Sequence, residues 1–468
     1  MFGTSGIRGP IGETVTAELA LDVGRAVASE GADRVVVGRD TRETGPALVD
    51  ALSAGLRECG SDVVSLGEVP TPTVARAVEW YDADAGVTVT ASHNPASDNG
   101  LKLWTDDGAA YVGTRQEGVA DRIRQGRYDF VAWDEYGDRT RGRDARTRHV
   151  RAVVDAVAAE YVANRDGADR GGGTGAGGDA VDLGLDVVVD AGNGSGRITA
   201  RALRRLGCSV ETIAAEPDGT FPSRPSEPTA ENCETLRRVV AATDADLGIA
   251  HDGDADRMRA VDGLGEFLAG DTLLALFARD AADAGERVAV PIDTSIAVDT
   301  TLEAIGASTT HTRVGDGHVA ERTRESDVVF GGEPSGAWIW PDLTRCPDGT
   351  LAAAKLAELV ARRGPLDRLA AGVETVPLRR TNVETDAKRE VVEHVAERVG
   401  DRYANVTTVD GVRVDVDAGW FLVRASGTQP LVRVTAEAGV DSEMESLFET
   451  ATGLVEEARE AVAPAASD

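Results

Sequence analysis

Lysine is nearly missing from this chain. Only Lys102, Lys355 and Lys388 occur in 468 residues, and the other 46 basic residues are arginine. Against those 49 basic groups stand 80 acidic ones, for a formal net charge of −31. An acidic surface almost stripped of lysine is the composition expected of a halophilic protein. Screening shortens to about 3 Å at 1 M salt and suppresses the self-repulsion that dilute buffer would leave. The same field argues against nucleic acid as a partner, because that needs a basic face. Cysteine is scarce too. Cys59, Cys208, Cys233 and Cys346 form no CxxC pair, so zinc and a disulfide framework are not expected and buried free thiols are. No apolar run approaches the roughly 20 residues of a membrane span. MFGTSGIRG has no basic region followed by an apolar stretch, so no secretory signal is expected and the chain is read as cytoplasmic.

What is present suggests three or four domains, since 468 residues exceed a single core. A hydrophobic content of 42% with 28% charged residues is globular. Three sections alternate short β-branched runs with helical patterns, as in DRVVVGRD followed by TGPALVDALSAGLRECG. They predict α/β domains over 1–140, 149–257 and 258–368. The tail, 375–460, places strands such as GWFLVRAS and PLVRVTAEAG between two helices and predicts an α+β domain. The Gly-rich segment 164–182 reads as a flexible surface loop without assigned function.

Five short motifs carry chemistry. After the strand GVTVT stands Ala91-Ser92-His93-Asn94-Pro95, which is either a serine presented at a strand end or a plain turn cluster. No GxSxG elbow accompanies it. Asp252-Gly253-Asp254-Ala255-Asp256-Arg257 follows another strand, and alternate carboxylates on such a loop suit Mg²⁺ or Ca²⁺. An EF-hand would want Gly and Glu where this chain has Arg257 and Gly263. Gly331-Gly332-Glu333-Pro334-Ser335-Gly336 could hold sugar hydroxyls or be a turn. Arg424-Ala425-Ser426-Gly427-Thr428-Gln429-Pro430 combines a guanidinium, hydroxyls and backbone amides in an anion nest. Gly3 to Gly9 is a Gly-rich loop carrying Arg8, or a disordered terminus. Asp190-Ala191-Gly192-Asn193-Gly194-Ser195-Gly196 reads as a structural turn rather than an anion site. Lys102, ten residues from Ser92 in an arginine-rich chain, hints at proton transfer, because arginine cannot give up its proton.

In this order the motifs TSGIRG, TASHNP, DGDADR, GGEPSG and RASGTQP resemble one family, the α-D-phosphohexomutases, over essentially the whole chain. The resemblance implies three similar mixed-sheet α/β domains and a distinct C-terminal α+β domain around a central cleft. It implies that Ser92 carries a phosphoryl group and that Asp252, Asp254 and Asp256 hold one Mg²⁺ together with the Ser92 phosphate. Arg8, Lys102 and Arg257 would surround the transferring group, with Lys102 as general acid/base. Glu333 and Ser335 would hold sugar hydroxyls, and Arg424, Ser426, Gly427 and Thr428 the non-reacting phosphate. A hexose bisphosphate would be intermediate and activator. Partners would be small hexose phosphates, with no nucleic acid or membrane, and the protein a monomer or homodimer. GGEPSGAWI and FPSRPSEPTAEN look most like archaeal members described as phosphoglucosamine mutases, converting glucosamine 6-phosphate to glucosamine 1-phosphate. Glucose and mannose phosphates stay open as alternatives, as do, more remotely, a sugar-phosphate phosphatase and a non-catalytic sensor.

Two departures from the family pattern stand out. Ala337 occupies the place of a frequent histidine, for which His93 or His318 could compensate, and Gln429 replaces the commoner glutamate.

Overall fold

Val35–Val37, Val63–Val64 and Val87 are β-branched and almost wholly buried, the pattern of strands covered on both faces. They form the middle of a six-stranded sheet in the computed structural model, which describes Gly3 and residues 6–168, 181–400, 402–427 and 430–462. Across that sheet the order is Ile7–Pro10, Asp98–Trp104, Ala85–Val89, Arg34–Arg39, Asp62–Glu68, Arg139–Arg141. The last four strands run parallel, and the first two are antiparallel additions.

The second sheet is ordered Met258–Asp262, Leu247–His251, Asp186–Asp190, Ser209–Ile213. Its first two strands form an antiparallel hairpin, which crosses the boundary expected at 257/258. The DGDADR loop is the turn of that hairpin, so the sheet cannot end before the loop does. The third sheet holds Ser308–Thr312, Arg287–Pro291, Val328–Gly332 and Trp338–Ile339. Five antiparallel strands between Leu378 and Ala438 make the fourth, covered by helices Lys388–Gly400 and Asp441–Val462.

One apolar core joins the second and third sheets: Ile249 and Leu203 lie in the same cluster as Phe330, Trp338 and Leu273. Helix Gly349–Arg363 runs through it with Leu351 to Ala354 fully buried. Its N-cap, Asp348, accepts from Leu351 N at 3.0 Å, Arg76 Nε at 2.9 Å and His149 Nε2 at 2.8 Å. Thr73 Oγ1 lies 2.7 Å from the other ring nitrogen of His149. First, second and third domains are thereby tied at one buried polar node. The fourth keeps its own core and meets the third through a small cluster of Ile292, Trp420 and Leu422. Among the described residues no helix is long and apolar enough to cross a membrane. The Gly-rich segment expected as a loop lies largely outside the described residues.

Candidate active site

The strand Ala85–Val89 delivers Ser92 into a left-handed conformation, φ 51°, which a non-glycine residue holds only when its surroundings enforce it. Arg42 enforces it. This fully buried guanidinium donates to Ser92 O at 2.9 Å, Asn94 O at 2.7 Å and Asp98 O at 2.9 Å, and also to Pro95 O. Asp40 balances it through Nε at 3.0 Å, and burial, opposed by Arg42, pushes that carboxyl up to about 6. Ser92 Oγ then donates to Asp252 Oδ2 at 2.6 Å. Sequence reading missed Arg42, because a buried arginine leaves no mark where arginine is the default cation.

Asp252, Asp254 and Asp256 are buried, and one oxygen from each lies within 4.8 Å of the others. Burial, then Asp256 and Asp254, push Asp252 well above the usual carboxylate range. Burial would raise Asp254 as well, but Lys102 and the Thr71 hydroxyl reverse this and hold it low. Asp254 Oδ1 and Asp256 Oδ1 are buried with no hydrogen-bond partner, an arrangement that costs stability unless something else ligates them. Three hard oxygen donors with two orphaned lone-pair sites fit Mg²⁺.

Each side of the loop is propped. Thr71 donates through Oγ1 to Asp254 Oδ2 at 2.5 Å and through its amide to Asp254 O at 2.9 Å. Ser226 Oγ bridges the two key loops, donating to Ser92 O at 2.8 Å and accepting from Gly253 N at 3.0 Å. The turn at 190–196 is structural, as read: Ser195 N donates to Gly253 O at 2.9 Å. A Cβ on Gly194 would stand 2.5 Å from that same carbonyl.

Lys102 sits on the strand Asp98–Trp104, opposite Thr88. Its ammonium lies 3.0 Å from Asp254 Oδ2 and also pairs with Asp256. Burial would lower its pKa, yet Asp254 and Asp256 outweigh burial and keep it charged. Arg8 stands on the neighbouring strand opposite Gly100, with Nε buried and unpartnered. Arg257 donates its amide to Asp252 Oδ1 at 3.2 Å. His93 Nδ1 is 3.4 Å from Ser92 Oγ, and Arg257, then burial and Arg8, hold that imidazole far below its ordinary pKa, hence neutral.

The Gly331–Gly336 loop adjoins this cluster, since Arg257 forms a backbone bridge with Ala337. Glu333 accepts from Gly315 N at 2.7 Å and from Ser335 Oγ at 3.1 Å. A cavity of about 380 Å³ is lined by Glu333, Ser335, Asp293, Arg380, Arg424 and Arg433, among others. Arg424 faces Asp410 at 3.4 Å and Asp293 at 3.8 Å. Directly across the strand pair stands Arg433, and like charges so placed repel unless an anion joins them. Sequence reading missed Arg380 and Arg433; alternation along the strand was the available signal. Ser426 and Gly427 form the adjoining turn but do not line this cavity. Thr428 and Gln429 lie outside the described residues. His318, half-buried on helix Asp316–Arg322, is kept below its ordinary pKa by burial and then Arg313.

Four family models, described as phosphoglucomutase/phosphomannomutase alpha/beta/alpha domains I, II and III and C-terminal domain, match residues 1–129, 179–265, 269–376 and 377–452. The chain belongs to the phosphoglucomutase/phosphomannomutase family. Curated relatives named "Probable phosphoglucosamine mutase" include one from Methanopyrus kandleri, 45% identical over 93% of each chain. Another, from Methanothermobacter thermautotrophicus, is 42% identical over 97% of this chain and 98% of its own. Among solved structures, a phosphoglucomutase/phosphomannomutase family protein from Burkholderia thailandensis matches at TM-score 0.83 and 29% identity, covering 100% of this chain and 98% of that one. The Paramecium phosphoglucomutase pp63/parafusin shares the fold at TM-score 0.72 and 16% identity, covering 98% and 94%. Three α/β domains followed by a different fourth are thus the family's architecture as well as this chain's.

Proposed function

We propose that this protein is a phosphoglucosamine mutase of the cytoplasm, interconverting glucosamine 6-phosphate and glucosamine 1-phosphate. The observation that carries the reading is the contact of Ser92 Oγ with Asp252 inside a buried three-aspartate cluster, in a chain 38–45% identical to relatives of that name. Ser92 bears the phosphoryl group and passes it to a hydroxyl of the bound monophosphate. The Oγ–P bond breaks, a P–O bond to the sugar oxygen forms, the sugar hydroxyl gives up its proton to a base, and Oγ regains one. Little covalent work falls to the protein, so alignment and charge neutralisation dominate. A magnesium ion held by the three aspartates and Ser92 would supply positive charge beside that transfer.

Arg8 and Arg257 add fixed cations around Ser92. Lys102, held as an ammonium, returns the proton to Ser92 Oγ, and neutral His93, 3.4 Å from that oxygen, is the base for the proton of the sugar hydroxyl. Glu333 and Ser335 take sugar hydroxyls. Arg424 and Arg433, with Arg380, grip the far phosphate. The bisphosphate then turns end for end and returns its other phosphate to Ser92.

The test is direct. Ser92→Ala should abolish mutase turnover with an unchanged circular dichroism spectrum, and substantial residual turnover would refute the phosphoserine. Comparing kcat/KM for glucosamine, glucose and mannose phosphates, in high salt with Mg²⁺ and a trace of bisphosphate, decides the sugar. A preference for glucose or mannose would reassign the enzyme within its family.

A further inference from the structure

Ser226 is pinned between the Ser92 carbonyl and the Gly253 amide, so the residue after it has a fixed place beside the reacting centre. That residue is Glu227. Its backbone is held as well, its carbonyl accepting from Thr229 N at 3.0 Å and Asn232 Nδ2 at 2.8 Å. The side chain opens onto a hollow of about 400 Å³ that is also lined by Arg259, Phe267 and Ser335. Ser335 lines the neighbouring cavity of Glu333, Arg424 and Arg433 too, so the two hollows share one sugar-facing hydroxyl. The Glu227 carboxylate acts on Arg257 at the Ser92 end and on Arg433 at the phosphate end. Through Ser226 on one side and the shared Ser335 on the other, it is placed next to both the Ser92 loop and the Glu333 cavity.

Charge makes that position informative. The walls carry Arg259, Arg380, Arg424 and Arg433, which suits phosphates and repels a cation. Glucosamine phosphates bring a cation, because an aliphatic amine is protonated near neutral pH. Of the carboxylates lining the two hollows, Glu333 has both oxygens engaged and Asp293 faces Arg424. The Glu227 carboxylate, exposed to the cleft, has no hydrogen bond and no ion pair among the described residues.

We propose that Glu227 is a specificity residue that receives the 2-ammonium of the glucosamine phosphate. The proposal rests on the mutase reading above and deepens it. A hydroxyl at C2 gains less from the carboxylate than an ammonium does, and an N-acetylated amine loses its charge altogether. Discrimination then comes from one charge-assisted hydrogen bond set in an otherwise cationic wall.

Glu227→Gln and Glu227→Asp, compared with wild type on glucosamine 6-phosphate, glucose 6-phosphate and N-acetylglucosamine 6-phosphate, test it. For Glu227→Gln the ratio of kcat/KM for the amino sugar to that for glucose 6-phosphate should fall about tenfold, the loss of one hydrogen bond to a charged group. Glu227→Asp should recover part of that ratio. The wild-type preference should fade as pH rises through the amine's own ionisation, and the Gln variant should show less of this loss. Equal losses on all three sugars, or an unchanged ratio, overturn the proposal while leaving the mutase reading intact. Wild-type enzyme that ignores glucosamine 6-phosphate but turns over glucose 6-phosphate overturns both the sugar assignment and this residue's role.

Discussion

Both oxygens of Glu333 are engaged, one by the Gly315 amide and the other by Ser335, yet burial and the nearby Asp316 push the acid up to about 7. Arg257 opposes that shift and Asp293 adds to it. The unfolded chain would release this proton near 4.5, so between those values the folded state binds more protons. Stability should therefore fall as pH rises through that window, by an amount on the order of 3 kcal/mol. Activity should move the opposite way, because the carboxylate is the better acceptor for sugar hydroxyls. Glu333→Gln should flatten the limb of the kcat/KM profile near pH 7 and lower its plateau about tenfold. An unchanged limb in the variant would assign it to another group. At this same scale the lysine shortage gains meaning. Lys102 binds two of the aspartates, and Lys388 donates to Ser426 O at 2.6 Å, so two of the three lysines stand at the site.

Elements show how far the sequence could be read. Strands ending in Ser92 and in the aspartate loop were visible because β-branched runs stop at Gly, Asn and Pro. The strand carrying Lys102 was not, since Asn99-Gly100 reads as a turn and its pairing depends on partners ninety residues away or next door. Nor could any local pattern show the props from elsewhere in the chain: Thr71 on Asp254, Ser226 between two loops, Arg42 beneath Ser92. The helix Gly349–Arg363 was legible, but its N-cap role in joining domains was not. At Gly349 a Cβ would lie 2.6 Å from Arg257 O and 2.8 Å from Ala255 O, so this helix end abuts the aspartate loop. Asp348→Asn should consequently destabilise the protein by about 3 kcal/mol, the cost of breaking a buried ion pair. Thermal unfolding and Mg²⁺ affinity should both report it. A stable variant with weakened Mg²⁺ binding would show that the node serves the loop alone.

For the whole molecule, a charge of −31 sets the conditions for every assay. Screening at 1 M extends only about 3 Å, so molar KCl should raise Tm over dilute buffer. A flat Tm against salt would remove the halophilic reading. Ion pairs such as Arg287–Asp327 and Arg322–Glu325 are partly exposed and count for little individually.

The fourth domain differs from the other three in how it is attached. Its core is closed, and it leans on the rest through Ile292, Trp420 and Leu422, with Glu437 clasping Ser295 and the Ile296 amide. Arg413 adds a bond to Ile292 O and Arg424 faces Asp293, so that seam is mostly polar, while the opposite side, tied from three lobes at Asp348, keeps Ser92 and the aspartates in register. A hexose phosphate bound between them would touch a fixed anvil on one side and, on the other, a domain held by exchangeable polar contacts.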